Sequence, residues 1–205
     1  ENMQNIDSII SNRSVYKSLI YKKNSSNFYK RKCKVHYQNT NQVILLIGNK
    51  TCSSKHNDFI NLKILESYLS YGMSSKLFRV FRERNGLTYD TGVFNPLRKA
   101  SAPFLIYLSS STNNCLDTFN HLLKLWDQIT SRPLSKDELD LAKIKFNAEI
   151  LLSSQTTEEI INRRVQLLGL NMDPKLDEKF IKKISKIDSN EILQTAKKYL
   201  LNPSL

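Results

Sequence analysis

No apolar run in this chain approaches the roughly 20 residues needed to cross a bilayer, so no membrane partner is expected. Glycine and proline are scarce, five of each in 205 residues, which excludes collagenous and low-complexity classes. Cysteine is limited to Cys33, Cys52 and Cys115. The number is odd, the spacing wide and Cys-x-x-Cys absent, so neither a disulfide framework nor a zinc-thiolate site is expected. A reducing, cytoplasmic compartment is the simplest reading. Histidine is limited to His36, His56 and His121. No two of them stand within helical ligand spacing, and no glutamate lies between such a pair, so no metal is expected in this chain. No signal peptide is visible, and Glu1 reads as the start of an internal fragment.

Acidic residues are also short: 19 Asp and Glu face 31 Lys and Arg, a net charge of +12. Such an excess can mark a nucleic-acid or anionic surface. The one dense basic run, Tyr29-Lys-Arg-Lys-Cys-Lys, leads into alternating strand residues, not into a helix suited to a groove. The chain is rich in Lys, Asn, Ile and Ser throughout, so compositional drift accounts for the charge and no nucleic-acid partner is expected. The length and the 40% apolar content suit one globular domain with a substantial core.

Residues 1–28 read as a linker or the end of a preceding segment, with a short helix near Met3, and the domain proper spans 29–205. Residues 29–49 predict a β-hairpin. Lys32 to Gln38 alternates, Asn39-Thr-Asn turns, and Val43-Ile-Leu-Leu-Ile reads as a central strand buried on both faces. Phe59, Leu62, Leu65 and Leu69 predict a helix over 58–71. Strands follow at 87–94 and 102–109, and helices make up the rest. Ser135 with Glu138, and Thr156 with Glu159, form capping boxes; the second leads into Ile160, Ile161, Val165 and Leu168. This order predicts an α+β layer, an antiparallel sheet with helices packed on one face.

The densest information lies in residues 72–89, Gly-Met-Ser-Ser-Lys-Leu-Phe-Arg-Val-Phe-Arg-Glu-Arg-Asn-Gly-Leu-Thr-Tyr. Gly72 can stop a helix by taking positive φ. Ser74 or Ser75 can cap the next one, and Asn85-Gly86 is a turn signal. The turn reverses the chain between Arg82 and Tyr89, so the two side chains can converge and offer donors to carbonyl oxygens. By periodicity alone Arg82 can equally pair with Glu83, Glu66 or Asp90, and Tyr89 can pack beneath a helix.

These residues resemble the signature of the C-terminal half-domain of the pitrilysin/insulinase (M16) family of zinc peptidases, roughly Gly-x-Ser-Ser-Arg-Leu-Phe and then Leu-Arg-Glu-x-x-Gly-Leu-Ala-Tyr. Lys76, Phe81 and Thr88 depart mildly from it, and the resemblance extends from about Phe28 to Leu205. It implies a half-domain of the LuxS and mitochondrial-processing-peptidase type, which ordinarily adds one strand after the last helix, about where Asn202-Pro203-Ser204-Leu205 stands. It implies a two-part clamshell whose other half, fused or separate, carries zinc on an inverted His-x-x-Glu-His motif. This chain then is the half that is inactive alone and holds no catalytic residue by itself. Arg82 and Tyr89 would hold the peptide backbone, Tyr89 also donating to the oxyanion. Gly72, Ser74, Ser75 and Gly86 would shape the motif, with Glu83 orienting Arg82 or Arg84. The implied partners are the zinc-bearing half and a peptide substrate, with a homodimer a further arrangement. An assembly subunit of the same fold without peptidase function is the alternative.

Overall fold

The computed structural model describes residues 33–37 and 39–205. The expectations for residues 1–28, for the start of the domain and for most of the basic run lie outside the described residues. Among the described residues, three strands form one antiparallel sheet: β1 (Gln42–Lys50), β2 (Thr88–Phe94) and β3 (Pro103–Ser111), in the order β1-β3-β2. The helices are α1 (Phe59–Ser70), α2 (Cys115–Ser131), α3 (Lys136–Leu152), α4 (Thr157–Gly169), α5 (Leu176–Ile184) and α6 (Ser189–Leu200). This is the α+β architecture expected from the order of elements.

The sheet faces inward because β3 alternates. Phe104, Ile106, Leu108 and Ser110 are fully buried, while the residues between them are half-buried. α1 lies between β2 on one side and α3 and α6 on the other. That sandwiching explains why Ile60, Ile64 and Tyr68 are buried along with Phe59, Leu62, Leu65 and Leu69. Trp126, Phe59, Phe81 and Phe104 are the largest fully buried side chains. Each such aromatic contributes about 1.5–3 kcal/mol of burial energy. Both capping boxes form, Ser135 accepting from the Glu138 amide and Thr156 from the Glu159 amide.

Two expectations about the strands are corrected. Residues 33–37 form no strand against β1. The last helix delivers a different neighbour to that edge. The Asn49 amide donates to the Tyr199 and Leu201 carbonyls at 3.0 and 2.9 Å, and the Trp126 indole donates to Leu200 at 2.8 Å. The chain leaves α6 alongside β1, and Gly48 and Ser204 exchange two backbone hydrogen bonds of 3.0 and 2.9 Å. The Lys34 amide then meets the Leu205 carbonyl on the far side.

Nor is β1 buried on both faces. Ile44 and Leu46 are 68% and 51% exposed, because helices cover one face of the sheet and alternate residues point away from it. On α4, Leu167 turns inward while Ile161, Val165 and Leu168 stand exposed, so that stripe faces outward. α3 likewise buries Leu139, Ala142, Phe146 and Ile150 and exposes Leu141, Ile144, Leu151 and Leu152 on its opposite side.

Candidate functional site

Between α1 and β2 the chain makes three changes of direction, each set by a particular residue. Gly72 follows the C-cap of α1 at φ +74°, a conformation that costs a residue with a Cβ about 1 kcal/mol or more. Ser75, not Ser74, then acts as the cap: its hydroxyl accepts the Phe78 amide at 3.3 Å, and it is buried. Residues Phe78–Glu83 wind as a π-helical segment, closed by the Arg84 amide on the Arg79 carbonyl at 3.1 Å. Such wide turns are uncommon and often accompany functional sites. Asn85 closes the segment by donating to the Val80 carbonyl at 2.6 Å, and Gly86 reverses the chain at φ +58°.

Arg82 sits in the last turn of this segment. Its guanidinium lies 5.4 Å from the centre of the Phe78 ring, and among the described residues it makes no ion pair. Among the described residues the ion-pair partner of Glu83 is Arg79, one turn back, at 4.0 Å, not Arg82 or Arg84. Lys145 of α3 lies close enough to Arg79 to feel its charge; burial first, and that neighbour second, push the Lys145 ammonium down from its ordinary value.

Tyr89 is placed by an irregularity of the sheet. Thr88 pairs with Ser110 and Asp90 with Ser109, so two steps on β2 match one step on β3 and Tyr89 is the extra residue of a β-bulge. Bulges re-aim side chains. Tyr89 is 67% exposed, and its phenol finds no partner among the described residues, whereas Thr88 beside it is buried with an unpartnered hydroxyl. The two halves of the site join at Leu87. Its amide donates to the Phe81 carbonyl at 2.7 Å, tying it to the turn that carries Arg82; its carbonyl accepts the Ser110 hydroxyl at 2.6 Å, tying it to the strand beneath Tyr89.

The front of the motif is anchored at Glu138. Lys76 lies 3.8 Å from its carboxylate, Arg132 3.3 Å, and the Tyr68 hydroxyl donates at 2.7 Å. Sequence reasoning found Glu138 only as a capping residue and did not find Ser110. The signal for Ser110 was the Ser109-Ser110-Ser111 run at the end of an apolar strand, which puts a hydroxyl in the inward phase.

Among the described residues no three of His, Cys, Asp and Glu cluster closely enough to hold a metal. The ring Nδ1 of His56 accepts the Asp58 amide at 3.1 Å, and Nδ1 of His121 lies 2.8 Å from the Asp117 carbonyl of its own helix. No described helix is long and apolar enough to cross a membrane.

A family model described as the peptidase M16 inactive domain matches residues 11–146. A Rickettsia felis protein named uncharacterized zinc protease is 27% identical over 130 residues, covering 62% of this chain and 31% of the relative. In fold, the chain is similar to the peptidase M16 inactive domain from Pseudomonas fluorescens, with a TM-score of 0.74 at 18% identity over 84% of this chain and 41% of the other. It is also similar to a chain of Complex III2 from Candida albicans, with a TM-score of 0.63 at 16% identity over 83% of this chain and 42% of the other. The chain thus spans less than half the length of these proteins.

Proposed function

The chain belongs to the family of peptidase M16 inactive domains, and from that premise we propose that it is the substrate-holding half of a two-part zinc peptidase. The zinc would sit on the other half, in the same polypeptide or in another. Here Arg82 and Tyr89 bind an extended peptide through its backbone carbonyls. The guanidinium offers several donors in a fixed fork, and the phenol offers one more toward the carbonyl at which charge develops. Donors fixed beforehand need no rearrangement as that charge grows. The substrate class is unfolded or short peptides, because backbone carbonyls are accessible only in extended chains.

One observation supports this reading above the others. Leu87 ties the Arg82 turn and the Tyr89 bulge to each other, its amide donating to the Phe81 carbonyl and its carbonyl accepting the Ser110 hydroxyl, and both donors remain exposed with no polar partner among the described residues. Exposed donors without internal partners are available to a peptide carbonyl. The test is reconstitution. The chain is mixed with the His-x-x-Glu-His half, and cleavage of a quenched peptide is followed. Activity that appears only in the mixture and collapses with Arg82→Ala is expected. A stable complex that cleaves nothing across a broad peptide library would overturn this reading and favour an assembly subunit. The likeness in fold to a chain of Complex III2 is the observation behind that second reading.

A further inference from the structure

We infer that Ser110, with Thr118 behind it, is a positioning residue that sets Tyr89 relative to Arg82. The inference rests on the substrate-holding reading for its functional consequence, but its geometry stands apart from it. Ser110 is fully buried on the inner face of β3, in an otherwise apolar row. A buried hydroxyl there costs free energy unless it is hydrogen-bonded. It reaches the Leu87 carbonyl, 23 residues away in sequence, at 2.6 Å. The Thr118 hydroxyl of α2, also fully buried, lies 3.0 Å behind it and donates to the Asn114 carbonyl at 2.8 Å.

The location gives this pair its effect. Leu87 is the residue between the two halves of the site, and Ser110 is the register partner of Thr88, immediately before the bulge at Tyr89. A bulge breaks the ladder and leaves backbone groups needing other partners, and a buried carbonyl must find a donor. The Ser110 hydroxyl supplies that donor to Leu87. Without it, the segment from Leu87 to Asp90 has less reason to hold its extra residue where it is, and Tyr89 is free to turn. The turn that carries Arg82 is held through the amide of the same residue, so Leu87 links the two donors.

The experiment places a single 3-fluorotyrosine at position 89 and reads its ¹⁹F line, beside peptide cleavage by the reconstituted enzyme. In Ser110→Ala the line is expected to shift or broaden, and kcat to fall about tenfold with KM within about twofold, as for a misplaced group that acts in the transition state. Ser110→Thr, which restores the hydroxyl, should return both toward the parent. Should Ser110→Ala fail to fold, Ser110→Cys, of similar shape with a weaker donor, carries the test and should move the line in the same direction. An unchanged line in either folded variant overturns the inference. Failure of the substrate-holding reading would look different: Arg82→Ala and Tyr89→Phe would leave cleavage intact, while the line at position 89 would still report whether Ser110 positions it.

Discussion

The Tyr68 hydroxyl donates to the Glu138 carboxylate at 2.7 Å across the gap between α1 and the start of α3. Around that contact gather the Ser135 amide, Arg132 and Lys76, so one carboxylate joins two helices, a helix cap and the front of the Gly72–Tyr89 motif. Burial would raise the carboxyl group's pKa, but the Ser135 amide, the Tyr68 hydroxyl and the Arg132 guanidinium outweigh it and pull the value from 4.5 to about 2.

The sign of the resulting pH dependence follows. A depressed carboxylate pKa stabilises the fold fully above the ordinary value of 4.5, and this stability is lost as pH falls toward about 2. Glu138→Gln keeps a capping side chain but removes the charge. It is expected to cost about 2–3 kcal/mol at pH 7, with the gap to the parent closing as pH drops below 4.5. Urea unfolding midpoints of both proteins from pH 7 to pH 3 check this. A gap constant across that range would show that the carboxylate's charge is not what stabilises the junction.

Tyr89→Phe separates function from fold. The side chain is 67% exposed and its hydroxyl has no partner among the described residues. Thermal stability should therefore stay within about 0.5 kcal/mol of the parent. Cleavage by the reconstituted peptidase should fall about 100-fold or more, as for loss of one preorganised donor. Equal losses in both measurements would assign the hydroxyl to the fold.

Two glycines should fail for different reasons. At Gly86, φ is +58° and a Cβ would meet nothing within 4 Å, so Gly86→Ala should cost only the conformational term, about 1–2 kcal/mol, and Gly86→Asn less. At Gly48 a Cβ would lie 2.3 Å from the Phe104 backbone carbonyl. Gly48→Ala must push β1 away from β3, at about 1–3 kcal/mol, and should also release Ser204. Hydrogen exchange at the Ser204 amide distinguishes them: it should quicken in the Gly48 variant and not in the Gly86 variant.

Trp126→Phe removes the indole donor to the Leu200 carbonyl and leaves that buried acceptor bare. A loss of about 1–3 kcal/mol is expected, read from chemical denaturation, with increased protease sensitivity after α6. A variant as stable as the parent would mean that Asn49 alone holds that helix end.

Much of this architecture was legible along the chain because it depends on neighbours close in sequence. The capping boxes at Ser135 and Thr156, the stop at Gly72, the turn at Asn85-Gly86 and the inward rows of α1 and α3 need only a few residues to be recognised, since their hydrogen bonds and periodicities are local. The Gly72–Tyr89 pattern likewise carried the family resemblance. Contacts between distant segments were decided only by the tertiary structure. Whether Val43-Ile-Leu-Leu-Ile is central or peripheral depends on which strand lies beside it, and Ser204, 156 positions after Gly48, takes that place instead of residues 33–37. The outward turn of Ile161, Val165 and Leu168 depends on which face of α4 meets the body, which an amphipathic pattern leaves ambiguous when apolar residues occupy more than one side. The bulge at Tyr89 exists only against β3, and the Ser110 hydroxyl beneath it acquires its partner only when β2 and β3 are paired. The sequence by itself determined the local caps, stops and turns; the tertiary structure decided which strands pair and what each exposed or buried face would meet, because strand register and helix packing are set by burial across the whole chain.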